Sequence, residues 1–369
     1  MRVLFAAAVS FAAAVATAAA GGPHAETLYA RSGGRITGFA QDGRLIAWFA
    51  PNEKRCNTVH VRNLSNGLNA TMPSATARNV TCTWPTRNAT VPLAVDYTTS
   101  RALWALHQQS PLAYDYVIGA GGGPGDRRER RFQQLAHTAH GAGLWLGAIV
   151  GDGGTLAYAV TSVDYEDEAG CLAGSSPCTM KIQGSGSGVY RLVGWRPQLI
   201  PDTRAAVEVA ASGNTLAIVA TDSITKSGRP VAGADLPIDV VDATNGDKIA
   251  SATPQGTPVA VALAPHVLAT LERTPIGVRV AWYDPATGQP LGSAPVASAT
   301  APELTASDRY IVFRVGRSIR AVEVATGRIR TLTTAAATPV GLSLEGTRLA
   351  WAENLPHSAR IRAYYLSSG

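Results

Sequence analysis

This sequence is poor in the residues that usually mark a chemical specialist. Its 369 residues include only 4 Cys, 3 Met and 6 Phe; aromatic residues make up 7% and charged residues 16%. No two cysteines have C-x-x-C spacing and no histidine lies near Cys171, so a structural zinc site lacks its ligand set. Charge of either sign is modest, with 32 Lys and Arg against 26 Asp and Glu. The one dense basic run, Asp126-Arg127-Arg128-Glu129-Arg130-Arg131, is broken by acids and has no interleaved aromatics. That excludes a nucleic-acid surface of the usual kind and reads as a solvated loop. Past residue 20 there is no unbroken apolar run of about 18 residues, so no later segment is expected to span a membrane. Nor does any long stretch repeat its apolar residues every 3.6 positions, which argues against helical folds.

What is present begins with MRVLFAAAVSFAAAVATAAAGG. One cation, a weakly apolar run and small residues at Ala16-Thr17-Ala18 or Ala18-Ala19-Ala20 read as a signal peptide over residues 1–20, removed on export. A membrane anchor is the competing reading, against which the run is mostly alanine. Export predicts a secreted or periplasmic protein. In an oxidising compartment the four cysteines are expected to pair locally, Cys56 with Cys82 and Cys171 with Cys178.

One pattern then recurs along residues 26–369: a Gly, Asp or Ser turn followed by a short apolar strand. The copies are DGRLIAWFA, TSRALWALH, GGTLAYAV, SGNTLAIVA, APHVLATLE, SDRYIVFRV and EGTRLAWAE. Their aligned anchors are Ile46, Leu103, Leu156, Leu216, Leu268, Ile311 and Leu349, spaced by roughly 40 to 60 residues, the period of four-stranded propeller blades. An apolar strand precedes each turn, and several copies continue into a D-x-x-N/T-G hairpin, as in DATNG and DPATG, whose glycine supplies a positive φ. The last copy has three strands, and ETLYARSG from Glu26 is available as its fourth. The expected fold is therefore an all-β, seven-bladed β-propeller of four-stranded antiparallel blades, closed by the N-terminal strand. A pair of β-sandwiches, or six blades if the copy at Leu103 is misread, are the alternatives.

The stretch RIRTLTTAAATPVGLSLEGTRLAWAEN, from Arg328, resembles the TolB-type and WD-repeat-like propellers of exported bacterial proteins, and DPATGQPLG is similar to quinoprotein and YVTN-type repeats. The resemblance implies a fold and carries no function. The Pro-Asp-Gly turn of that pattern is replaced by Leu344-Glu345-Gly346, and the tryptophan-docking repeats are absent.

Within a blade whose strands A to D alternate in direction, B–C loops and D–A links share one face. That face collects the long insertions: Asp164 to Ser187 in blade three, Asp222 to Pro237 in blade four, His107 to Pro111 in blade two, and the link from His137. Candidate contact residues there are Tyr165, Asp167, Lys226, Arg229, His137 and His140. Asp164, Glu166 and Glu168 form a weak calcium candidate that lacks the Asp-x-Asp-x-Asp-Gly turn; a solvated acidic loop is the plainer reading. GSGSG at Gly184 mimics a nucleophile elbow but precedes a strand, not a helix. Sequons at Asn63, Asn69, Asn79 and Asn88 carry little weight in an alanine- and arginine-rich, bacterial-looking composition. No catalytic residue, cofactor or metal is assigned. The expectation is a monomeric, non-enzymatic scaffold for a protein or cell-envelope ligand, with a channel-site lyase or hydrolase as the alternative.

Overall fold

A computed structural model describes residues 25–51, 57–72, 91–109, 113–121, 129–137, 142–165, 169, 179–225, 236–296 and 303–367. The strands that follow the seven predicted turns are the second strands of seven four-stranded antiparallel blades. Blade 1 holds β2 (Gly38–Asp42), β3 (Leu45–Pro51), β4 (Asn57–Asn63) and β5 (Asn69–Met72). Blade 2 holds β6 (Leu93–Asp96), β7 (Arg101–Gln109), β8 (Ala113–Gly121) and β9 (Arg130–His137). Blade 3 holds β10 (Gly143–Asp152), β11 (Thr155–Tyr165), β12 (Thr179–Val193) and β13 (Arg196–Leu199). Blade 4 holds β14 (Ala206–Ser212), β15 (Thr215–Ala220), β17 (Ile238–Asp242) and β18 (Lys248–Ala252), with the short β16 (Ser223–Thr225) leaving it to pair with β12. Blade 5 holds β19 (Thr257–Ala264), β20 (Val267–Thr274), β21 (Gly277–Tyr283) and β22 (Pro290–Val296). Blade 6 holds β23 (Leu304–Ala306), β24 (Tyr310–Val315), β25 (Ser318–Glu323) and β26 (Ile329–Thr334). Blade 7 holds β27 (Val340–Glu345), β28 (Arg348–Leu355) and β29 (Ser358–Tyr365), and takes β1 (Glu26–Ser32) as its outer strand.

The inner strands touch in the cyclic order β2, β6, β10, β14, β19, β23, β27 and back to β2, which closes the ring. All seven predicted anchors are at most 3% exposed. Strand alternation sends successive side chains to opposite neighbours, so each blade is apolar on both faces and a separate core fills each interface between blades. Alanines are frequent on these faces, which lets the sheets approach closely near the axis. The copy at Leu103 is a genuine blade.

The D-x-x-N/T-G hairpins form as read. In blades 4 and 5, Gly246 and Gly288 donate to the carbonyls of Asp242 and Asp284 at 2.9 and 2.8 Å from positive φ. The Asp242 and Asp284 carboxylates accept from Thr244 N and Ala286 N. Closure also forms as read: β1 pairs with β29 from Glu26↔Ala363 to Ser32↔Ser358.

Three boundaries differ from expectation. In blade 3 the ladder continues through Met180-Lys181-Ile182-Gln183, which had read as loop. The Gly-Ser run behind it is a bulge: Val160 faces Gly188 and Ser162 faces Gln183. Ser187 closes it, its hydroxyl accepting from Ser162 N and donating to Gln183 O. In blade 2, β7 runs to Gln109 through the His107 segment. Arg130 and Arg131 belong to β9, and Arg130 stacks on Trp195, sharing the ring with Arg101 at 4.9 and 4.4 Å. An indole face attracts guanidinium, so this end of the basic run is docked on the neighbouring blade.

Candidate functional site: a raised β wall and an acidic channel mouth

Two places on the ring depart from the plain repeat, one on each face. On the B–C face, β11 and β12 are 11 and 15 residues long, against 5 to 8 for the second and third strands of blades 4 to 7. Their hairpin stands above the ring. β16 of blade 4 adds to it through Thr179↔Thr225, Met180↔Ile224 and Lys181↔Ser223, and Ile182 N donates to Asp222 O. Beneath, Val163, Met180, Ile224 and Leu236 are buried, with Trp145, Tyr165 and Ile182 packed against them. On the other flank, His137 of β9 pairs with Gly143 of β10, so blades 2 and 3 form one continuous sheet. The result is an ordered β wall over blades 2 to 4. Blades 5 to 7 carry only two-residue turns at the corresponding places, and Ile276, at the tip of one, is 99% exposed.

Of the residues expected to make contacts, Tyr165 ends β11, half-buried, with its hydroxyl buried and without a partner among the described residues. Asp164 is exposed opposite Lys181 and accepts from Tyr165 N at 2.8 Å. His137 contributes its backbone to the link between blades. Glu166, Asp167, Glu168, Lys226, Arg229, His140 and all four cysteines (Cys56, Cys82, Cys171 and Cys178) lie outside the described residues. Of the calcium candidates only Asp164 is therefore among the described residues.

The second place was not foreseen. A channel of about 570 Å³ runs along the axis. Each inner strand contributes an apolar wall residue: Phe39, Leu93, Ile149, Val209, Val261, Leu304 and Leu342. At the A–B end, Asp42, Asp152 and Glu345 converge from blades 1, 3 and 7, one oxygen of each within 4.8 Å of the others. Each is the last residue of its inner strand, directly before the turn glycine. Blades 4, 5 and 6 have Ser212, Ala264 and Ala306 there, so the three convergent acids stand on one side of the mouth.

The acids also tie the blades together. Asp42 accepts from Tyr97 N of blade 2 at 2.7 Å, Asp96 from Gly154 N of blade 3 at 3.0 Å, and Asp152 from Gly213 N of blade 4 at 2.7 Å. Glu345 accepts from Gly43 N of blade 1. Gln41 and Arg348 complete the seam between blades 7 and 1: Arg348 donates to Gln41 Oε1 and to Gly43 O, and Gln41 Nε2 to Ser343 O and Arg348 O.

Burial pushes the Asp42 carboxyl up to about 6, opposed by the Tyr97 N–H and reinforced by Asp152 and Asp96. Burial also raises Asp152, with Glu345 adding repulsion, and raises Glu345, with Asp42 adding repulsion. Asp42 and Asp152 stand close enough that a proton on either would relieve their repulsion. The three are the described residues with donors suited to a hard cation.

Buried Glu–Arg pairs join the second and third strands of blades 5 and 7. Glu272 faces Arg279 across the hairpin and bonds it at 2.6 Å while accepting from Tyr283 Oη at 2.8 Å. Glu353 faces Arg360 at 2.7 Å and accepts from Trp351 Nε1 at 2.9 Å. Both pairs are seven residues apart, a spacing visible in the sequence once the blades are aligned.

Together the closed ring of seven sheets and its axial channel define a seven-bladed β-propeller. Among solved structures, it is similar to a puromycin hydrolase at a TM-score of 0.54 and 14% identity, over 90% of this chain and 52% of that one. It is also similar to the β-propeller domain of the Trilobed protease from Pyrococcus furiosus, at 0.50 and 9%, over 91% and 94%. BamB from Moraxella catarrhalis aligns at 0.46 and 10%, over 93% and 100%. Likeness at this level of identity establishes the fold alone. No protein-family model and no curated protein matches the chain. Among the described residues no helix is long and apolar enough to cross a membrane.

Proposed function

We propose that this protein is an exported binding propeller that presents the wall over blades 2 to 4 to a protein or cell-envelope partner. The wall itself is the observation that carries this reading. Two blades extend ordered strands beyond the ring on the same face, and these strands pair across blades. A rigid scaffold that holds an irregular face is the usual arrangement for recognition, because the loops need not order on binding. Cutting the β11–β12 hairpin back, so that Thr161 joins Gly188 through a short turn, tests it. The shortened protein is expected to keep its thermal unfolding transition and lose the partner that the intact protein retains from a native envelope extract. An unchanged set of retained proteins overturns the reading. Export is checked separately by N-terminal sequencing of the mature protein, which is expected to begin near residue 20.

The three convergent carboxyls favour a second reading, hydrolysis or elimination on a saccharide at the channel mouth. One oxygen of each lies within 4.8 Å of the others, near enough for two carboxyls to flank one glycosidic bond. Against it, every one of them already caps a turn of the next blade. The E345Q and D152N variants, assayed on a panel of aryl glycosides and uronic-acid polymers, decide. Turnover by the parent protein that both variants lack supports this chemistry; no turnover by the parent removes it.

A further inference from the structure

The ring is closed by a strand at the outer edge of blade 7. β1 contains no fully buried residue and is held to β29 along one edge. Its side-chain ties are exposed: Tyr365 Oη donates to Glu26 Oε1 at 2.8 Å and Arg362 Nη1 to Thr27 Oγ1 at 2.9 Å. Its inward anchor is a stack that crosses from blade 7 to blade 1. Tyr29 lies 4.4 Å from Trp48 of β3, and Trp48 stacks on His60 of β4 at 5.4 Å and 8°. Tyr29 and Arg31 stand two apart on β1 and so share a face, the face turned to His60.

The surroundings of His60 are hostile to positive charge. β1 contributes Tyr29 and Arg31, and Arg31 Nη1 is buried with no hydrogen-bond partner among the described residues. β3 contributes Trp48 and the carbonyls of Ala50 and Pro51, the former 3.3 Å from His60 Nε2. β5 places Thr71 opposite. Along β4 itself, Arg62 follows two residues on, its Nε buried and unpartnered. The charged group that acts on the imidazole is thus the Arg31 guanidinium, opposed by the backbone carbonyls of Ala50 and Pro51.

From this geometry we infer that His60 is an acid latch on the closing strand: on gaining a proton it drives β1 away from blade 1 and off its ladder with β29, before the blades unfold. An imidazolium there is pressed against Arg31 in a site with little water, and the cheapest relief is to withdraw the strand that carries Arg31. Burial first, and Arg31 second, hold the imidazole's titration down to about 4, so the latch stays shut near neutrality and yields only in strong acid. Sub-global opening of this kind draws on edge segments without buried residues, and β1 is one.

Hydrogen exchange of the full chain, followed by mass spectrometry from about pH 7 to about pH 3.5 and corrected for intrinsic exchange, tests the latch. In the parent protein, protection of β1 and the facing edge of β29 is expected to fall at least about tenfold between pH 5.5 and pH 4, while β20, β24 and β15 keep theirs. H60F keeps a ring in the stack and cannot be protonated, so its β1 is expected to stay protected. R31Q removes the charge that opposes the imidazolium, so its β1 is expected to lose less protection over the same pH range. The latch is overturned if β1 of H60F exchanges with the parent's pH profile, or if every blade of the parent loses protection together. Should H60F fail to fold, the parent alone decides: the midpoint of β1 exchange must coincide with the titration of the His60 ring by NMR, and a mismatch overturns the latch.

Discussion

At Asp42 the folded chain holds a proton more tightly than the unfolded chain does, because burial and two neighbouring acids disfavour its charge. The sign follows from the raised value. The cost of ionising Asp42 in the fold is complete above about pH 6 and disappears as pH falls toward 3.8, where both states are protonated. D42N keeps an oxygen for Tyr97 N and removes the charge. It is expected to stabilise the protein by about 1 kcal/mol near pH 8, allowing for solvent screening at the open mouth, and by nothing near pH 4. Urea titrations at the two pH values check this. Arg279 gives the opposite lesson. Glu272 beneath it is fully buried, so R279A strands a carboxylate and is expected to cost about 3–5 kcal/mol. The pair of Lys248 with Asp239 is exposed, and K248A is expected to cost under about 1 kcal/mol in the same melts.

At the scale of strands and turns, glycines that look alike in sequence differ in what surrounds them. Gly288 and Gly67, both at positive φ, close five-residue turns that begin at Asp284 and Asn63, but a Cβ on Gly288 would stand 2.1 Å from Ser251 O of blade 4, whereas one on Gly67 meets nothing within 4 Å. G288A is therefore expected to lower stability by more than about 2 kcal/mol and G67A by about 1 kcal/mol, read from thermal melts. The contrast marks what the sequence makes readable. The seven turn-and-strand copies, the hairpin glycines and the closing strand are local patterns, and each was legible. The extension of β12 was not, because Gly184 to Gly188 reads as a linker and its bulge depends on Ser187 bridging a neighbouring strand. Asp42, Asp152 and Glu345 each resemble an ordinary turn residue, and only ring closure brings them together. Their shared place at the end of an inner strand was the available signal. Glu272 with Arg279 and Glu353 with Arg360 left a similar trace in their equal spacing.

For the whole molecule, closure by one strand makes the N-terminal segment a condition of the ring. Removing residues 25–32 would bare the backbone edge of β29 and the Trp48 side of blade 1. The shortened chain is expected to melt at lower temperature and to self-associate with rising concentration, as light scattering after size-exclusion chromatography would show. The load is also uneven around the circle. Blades 2 and 3 share a sheet and blades 3 and 4 share the wall, whereas blades 5 to 7 meet mainly through apolar faces.

The acids at the A–B turns have one more consequence, which concerns how such a chain can change over time. Asp42, Asp96 and Asp152 each grip a main-chain N–H of the following blade. Every residue except proline offers that donor, so the grip makes almost no demand on the neighbour's side chains. A blade ending its first strand in Asp carries its half of the joint wherever it is placed. Duplication or exchange of a whole blade can then preserve the joint without a matching substitution next door, which leaves the wall on the opposite face free to diverge.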